Sequence, residues 1–320
     1  MILRLPLSIV SPSGRSGRLS ILIFHRVLKT PDPLFPDLPD VAEFELRMRW
    51  VRDWFHVLPL SEGIDRLFNG TIPPRALAIS FDDGYADNEE LAAPILKRLG
   101  LSATFFVATG FLGGGCMWND RVIESIRTCE YDELDLSALG LARHSLTSAA
   151  ARRRAIDAVL TGIKHFEPQR RQGLTDAIAG LTSAKQLPRL MMRPQQVRTL
   201  RGLGMDVGAH TISHPILTRL SAADARAEIA GSKEELEGVL GEPVRLFAYP
   251  NGVPGQDYAA EHATIVRDCG FNAAVSTAWG AASALSDRFQ LPRFTPWDRT
   301  RWRYGARLLT NFRRTEKVAA

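Results

Sequence analysis

Short apolar runs that alternate with amphipathic stretches constrain this chain more than any other feature. Residues 19–24 read as a buried strand ending at His25, residues 76–81 as a second behind Pro73 and Pro74, and residues 101–108 as a third. Phe44, Met48, Val51 and Phe55 fall at helical spacing. Residues 61–68 read as a short helix capped by Ser61, and residues 88–99 as a helix stopped by Gly100. The pattern resumes with a helix at 194–203, a strand at 205–209, a helix at 221–240 capped by Ser221, a strand at 244–248, a helix around 258–269 and a strand at 272–276. This strand–helix order predicts a parallel α/β core. Residues 113–187 interrupt it. They open with Gly113-Gly-Gly115, include Arg152-Arg-Arg154, and read as a helical insertion that caps the core.

The chain has 320 residues, of which 45% are apolar and 23% charged, which excludes disorder, collagen-like repeats and a disulfide scaffold. Its +5 charge is unevenly placed. From Arg288 to the end there are nine basic and two acidic residues, a balance of +7, so the preceding residues sum to −2. A solvated terminal helix is one reading of that segment. A contact with anionic lipid or a sugar phosphate is the other, and nucleic acid ranks below both because no recognition motif accompanies the charge. Cys116, Cys129 and Cys269 show no paired metal spacing and suit a reducing compartment. The apolar start is short, holds Pro6 and lacks a persuasive cleavage site, so the expected location is cytoplasmic, peripheral to the membrane. Residues 101–119 are uncharged, but their glycines and polar residues fit a strand and loop better than a membrane span.

Three strand ends carry the chemistry. Ser80-Phe-Asp-Asp-Gly-Tyr85 places two carboxylates where a parallel α/β fold gathers its ligands, so Asp82 and Asp83 can divide proton transfer and metal binding between them. A helix-capping turn is the plainer reading. Gly208-Ala-His-Thr-Ile-Ser-His214-Pro215 spaces two histidines four apart, which on a helical turn puts both imidazoles on one face. Together with Asp83 they make two histidines and a carboxylate, a facial metal set with open positions. Leu246-Phe-Ala-Tyr-Pro-Asn-Gly252 is a strand running into a loop able to aim a backbone N–H at an oxyanion.

These three loops resemble the polysaccharide deacetylases, the NodB-homology family, over roughly residues 19–297. The resemblance implies a deformed (β/α) barrel and metal-dependent hydrolysis of N-acetyl groups on amino sugars. It assigns Asp82 as general base and Asp83, His210 and His214 as ligands of a divalent metal, commonly zinc. Ala248 and Asn251 stand where the family's third motif has Arg and Tyr, and the late Leu-x-His motif is missing; His262 lies in a helix without that context. Two substitutes present themselves. His25, in Leu22-Ile-Phe-His-Arg-Val27, is similar to the opening of the branch that deacetylates poly-N-acetylglucosamine, and serves as general acid. Arg293, in Leu291-Pro-Arg-Phe294, is the candidate to replace the missing arginine and orient Asp82, with a surface arginine of the basic tail as the alternative. Tyr249, Pro250, Asn251, Trp297, Trp118 and Asp120 are the candidate substrate contacts.

The expected organisation is an N-terminal tail over 1–18, one catalytic domain over 19–298 with its insertion, and a basic tail over 299–320. The expected activity is release of acetate from a polysaccharide or lipid-linked glycan during exopolysaccharide synthesis. A small-molecule amidase and a non-catalytic glycan binder on the same fold are the alternatives.

Overall fold

The computed structural model describes residues 3–182, 188–314 and 317–319. The remaining positions, at the ends of the two tails and at 183–187 in the insertion, lie outside the described residues. The core strands are β1 (Leu19–Phe24), β2 (His56–Val57), β3 (Ala76–Phe81), β4 (Thr104–Val107), β7 (Asp206–Ala209), β8 (Leu246–Ala248) and β9 (Ala273–Val275). They form one parallel sheet in the order β1-β3-β4-β7-β8-β9, with β2 also paired to β3. The insertion supplies β5 (Glu133–Asp135) and β6 (Arg143–Ser145), a separate antiparallel pair absent from the sequence reading.

Residues 291–294 bring the sheet's two edges together. Leu291 N–H donates to Ala274 C=O and Ser276 N–H to Leu291 C=O, at 2.9 and 2.8 Å. Three residues on, Phe294 N–H donates to Ile21 C=O and Ile23 N–H to Phe294 C=O, at 2.8 and 3.2 Å. One segment therefore pairs with β9 and with β1, and the sheet curls into a barrel with no free edge at this point.

The pleat decides what faces inward, because successive side chains on a strand point to opposite sides. Leu19, Ile21, Ala76, Ala78, Phe106, Leu246, Ala248, Ala273, Val275 and Leu291 share the inner cluster. Leu22, Phe24, Leu77, Ile79, Phe81, Phe105, Val107, Val207 and Phe247 belong to the outer cluster beneath the helices. Small residues on the inner columns leave room for Phe106. A Cβ on Gly208 would stand 2.4 Å from the Phe106 ring and 2.9 Å from the Leu246 carbonyl, so only glycine fits there.

The helices are α1 (Arg4–Val10), α2 (Val41–Trp54), α3 (Leu60–Phe68), α4 (Ala93–Arg98), α5 (Trp118–Thr128), α6 (Ala149–Ile163), α7 (Pro168–Leu181), α8 (Pro194–Gly202), α9 (Ala222–Leu240), α10 (Ala260–Asp268) and α11 (Arg301–Asn311). Asp40 caps α2 by accepting the Glu43 N–H, and Ser221 caps α9 through the Asp224 N–H. Helix α3 starts one residue before Ser61, which is not its cap. The helix read over 88–99 is a π-helical turn, Asn88–Ala92, followed by α4. Pro94 has no N–H to return to the preceding turn, which accounts for the widening.

Helices α5, α6 and α7 pack with residues of the 30–40 loop around their own apolar cluster, which includes Leu34, Val122, Ile156 and Ile178. The segments read as tails carry α1 and α11, which contact one another; Leu7, Tyr304 and Leu308 are fully buried. Among the described residues no helix is long and apolar enough to cross a membrane.

Candidate active site

The inner column of β3 runs Ala76, Ala78, Ser80 and continues into Asp82, which therefore points into the barrel mouth. On the closing segment Leu291 is an inner residue, and Arg293 shares its parity. The two side chains meet in a fork. Arg293 Nη1 and Nη2 donate to the two Asp82 oxygens at 2.6 Å each, while Nε donates to the Ser276 carbonyl at 2.9 Å. Arg293 is completely buried and Asp82 is 2% exposed. Burial pushes the Asp82 carboxyl up, but the Arg293 and His210 charges with the Arg293 hydrogen bonds outweigh it and hold the group below the usual carboxylate range.

Asp83 turns the other way on a left-handed backbone (φ 76°), and Gly84 follows at φ 86°. Asp83, His210 and His214 present ligand atoms that all lie within 4.8 Å of one another. The Asp83 carboxylate is 3.5 Å from His210 Nε2 and 3.4 Å from His214 Nε2. His210 Nδ1 donates to the Ala248 carbonyl at 2.7 Å, which leaves Nε2 as the free ligand. Burial pulls the His214 imidazole down to about 4, so near neutral pH it offers a lone pair. Burial also lowers His210, but the Asp82 and Asp83 charges prevail and raise it, so a bound cation would compete with a proton there. Two imidazoles and one carboxylate with an open side fit a divalent ion of the zinc type.

The histidine pair is not on a helical turn. Thr211 and His214 both have positive φ (64° and 54°), and the bend brings the rings to 4.8 Å between centroids. Glu228 on α9 holds it, accepting the Ile212 and Ser213 N–H groups at 2.9 and 2.8 Å and the Ser213 hydroxyl at 2.6 Å. Asn251 is also left-handed (φ 59°). Four of the five non-glycine residues with positive φ among the described residues therefore sit in these loops, and such strain concentrates at functional sites. Glu228 carries no motif of its own, so sequence reasoning missed it.

His25 continues the inner column of β1 after Ile21 and Ile23, and its charge is felt at Asp82, Asp83 and His214. It lines a cavity of about 220 Å³ with Arg26, Asp83, Tyr85, Asn119 and Asp120. Asp120 is buried there, with one oxygen accepting the Tyr85 hydroxyl at 3.0 Å and the other the Met117 N–H at 3.1 Å. Burial pushes its carboxyl up to about 6. Trp118 and Asn251 line a second cavity, of about 230 Å³, which shares Asp83 and Asn119 with the first.

Three expected substrate contacts fall elsewhere. Tyr249 has the parity of Phe247, so it faces outward: it is fully buried, stacks on Tyr258 at 3.9 Å and donates its hydroxyl to the Phe289 carbonyl. Its N–H is spent on the Val275 carbonyl. Pro250 is buried and has no N–H to offer. Trp297 lines neither cavity; it stands at the surface between the Arg307 guanidinium, 3.8 Å from its ring, and Trp279 at 5.5 Å. The third loop thus contributes Asn251 alone.

The polysaccharide deacetylase family model matches residues 69–274. A Bacillus subtilis (strain 168) protein named as a polysaccharide deacetylase, YxkH, is 22% identical over 281 residues, 87% of this chain and 71% of its own length. The solved deacetylase PplD of Streptococcus pyogenes superposes with a TM-score of 0.58 at 20% identity, covering 87% of this chain and 92% of its own. IcaB of Ammonifex degensii gives 0.57 at 18%, covering 92% and 98%. A family match over most of the chain, on a curled parallel sheet with both aspartates and both histidines at its mouth, has one outcome: the chain belongs to the polysaccharide deacetylase family, hydrolases of the carbon–nitrogen bond of N-acetylated sugars.

Proposed function

We propose that this enzyme is a metal-dependent de-N-acetylase that releases acetate from the amino sugars of a polysaccharide or lipid-linked glycan, in exopolysaccharide synthesis. The observation that carries this reading is the Asp82–Arg293 fork beside the Asp83, His210 and His214 set. A divalent ion, zinc by the donor chemistry, would be held by those three residues and would lend Lewis acidity to the acetyl carbonyl and the attacking water. Asp82, fixed by Arg293, takes a proton from that water as its oxygen bonds to the acetyl carbon. The Asn251 N–H has no acceptor among the described residues, and Asn251 lines the cavity beside Asp83, which supports it as the donor to the carbonyl oxygen as that oxygen gains charge. His25 gives a proton to the sugar nitrogen as the carbon–nitrogen bond breaks, leaving acetate and a free amine.

The test is acetate release from N-acetylglucosamine oligomers by the metal-loaded enzyme. His25→Ala is expected to lower kcat by roughly 10²–10⁴, the usual worth of a general acid, with metal content and thermal midpoint unchanged. An unaltered rate would hand the acid role to another group. Failure of the wild-type enzyme on every N-acetyl sugar would remove the reading itself.

The membrane-surface reading of the basic segment takes a different shape. Of its nine basic residues, Arg288, Arg293, Arg299, Arg301 and Arg307 pair with carboxylates. Leu5 and Ile9 on α1 are 72% exposed and Trp302 on α11 is 59% exposed, while Arg303 and Arg313 have no carboxylate partner among the described residues. That mixture of apolar and cationic groups favours an anionic interface, on the cytoplasmic side where three unpaired thiols persist. Cosedimentation with phosphatidylglycerol liposomes is expected to fall at least fivefold in Leu5→Glu/Ile9→Glu/Trp302→Glu. Equal binding by that variant, or to neutral liposomes, would remove the interface.

A further inference from the structure

Arg171, on the first turn of α7, is 8% exposed yet has no carboxylate partner within salt-bridge distance among the described residues. Its Nη1 donates to the Lys164 carbonyl at 3.1 Å, and its guanidinium lies 4.7 Å from the Trp118 ring centroid. Burial disfavours its charge, and Glu167 offsets this only in part. The Glu167 carboxylate is itself committed to the Gln169 and Arg170 N–H groups at 3.1 and 3.0 Å. Lys164, at the end of α6, also lacks a carboxylate partner among the described residues. Both side chains line the 230 Å³ cavity that holds Asp83, His214, Trp118 and Asn251. A buried guanidinium whose neighbouring carboxylate is already committed is costly, and two cations on one wall of a cavity suit an anion.

We infer that Lys164 and Arg171 form a phosphate subsite, so that the N-acetyl sugar presented to Asp82 and Asp83 carries a phosphate ester. A phosphomonoester holds nearly two negative charges, which two cations match, whereas a carboxylate would leave one unmet. Arginine's planar fork suits phosphate oxygens, and the lysine adds a mobile point charge. The insertion that supplies both residues thereby selects the substrate, while the barrel supplies the reaction. This deepens the de-N-acetylase reading and rests on it.

The experiment compares acetate release from N-acetylglucosamine, its 1-phosphate, its 6-phosphate and the carboxylate sugar N-acetylmuramic acid. At least one phosphate should show a KM tenfold or more below that of the neutral sugar. Preference for the 1-phosphate places the ester at the anomeric carbon, and preference for the 6-phosphate at the primary hydroxyl. Lys164→Gln/Arg171→Gln should erase the preference, and Arg171→Lys should keep part of it, each with a thermal midpoint near wild type. Equal KM values for phosphorylated and neutral sugars, an undiminished preference in the double variant, or an equal preference for the carboxylate sugar would each overturn the subsite. Calorimetry of the sugar phosphates on Asp82→Asn separates this inference from the function. Binding that Lys164→Gln/Arg171→Gln abolishes supports the subsite even if no acetate is released. Acetate release from neutral oligomers without any phosphate binding rejects the subsite alone.

Discussion

Asp82→Asn is expected to lower kcat for acetate release by roughly 10²–10⁴ and, at the same time, to destabilise the fold. The two effects share one cause. Arg293 is completely buried, and among the described residues its two forked bonds to Asp82 are its only carboxylate contacts. Breaking a buried pair by removing one partner costs about 3–5 kcal/mol, because the other charge is left without compensation. Arg293 also sits on the segment that joins β9 to β1, so the loss falls on barrel closure. A thermal midpoint roughly 10 °C below wild type follows. The reciprocal variants separate chemistry from stability. In Arg293→Met the largest charge opposing burial, and its hydrogen bonds, are gone, so the Asp82 pKa rises. The sign is fixed. A depressed carboxylate stabilises the fold above the ordinary carboxylate range and loses that contribution as pH falls through its own lower pKa. In Arg293→Met that depression is relieved, and the acid limb of kcat/KM should move up by more than one pH unit. Arg293→Lys keeps the charge without the fork and should fall between. An acid limb unmoved in Arg293→Met would show that Asp82 is not the titrating base.

The pleat explains which parts of this site were legible in the sequence. The last inner residue of a strand delivers the next-but-one residue to the barrel mouth, and Ser80 to Asp82, Gly208 to His210 and Ile23 to His25 all obey that count. Arg293 obeys it too, which is why a late arginine can stand in for one missing from the third loop. The same count places Tyr249 with Phe247 on the outer face, so its assignment to the substrate pocket ignored a parity already present in the sequence. Trp297 failed for another reason: no periodic element connects it to the mouth, and an exposed aromatic beside arginines finds its partners locally. Glu228, Lys164 and Arg171 were not legible at all. Their roles depend on α9, α6 and α7 meeting loops distant in sequence, and no local pattern encodes those encounters. The hairpin of β5 and β6 escaped because its strands have three residues each, too short for periodicity to register.

His210→Ala/His214→Ala is expected to reduce bound divalent metal from about one equivalent to background by elemental analysis, and acetate release with it. Asp83 would remain as a single ligand, and one carboxylate on a left-handed turn cannot replace two imidazoles held by a bent loop. The variant should nevertheless fold. Neither histidine closes the barrel, the Asp82–Arg293 fork is intact, and Glu228 still grips the loop through the Ile212 and Ser213 N–H groups. Removing His210 also relieves a buried imidazole whose charge the two aspartates favour, so Asp83 should titrate closer to the ordinary carboxylate range. A midpoint within a few degrees of wild type, together with lost metal and lost rate, is the expected combination. It is the reverse of Asp82→Asn, which keeps its metal and loses stability. Stoichiometric metal in the double histidine variant would place the ion elsewhere and discard this site. Metal loss in Asp82→Asn equal to that in the histidine variant would instead make Asp82 a ligand, and leave the base to be found among the other groups of the mouth.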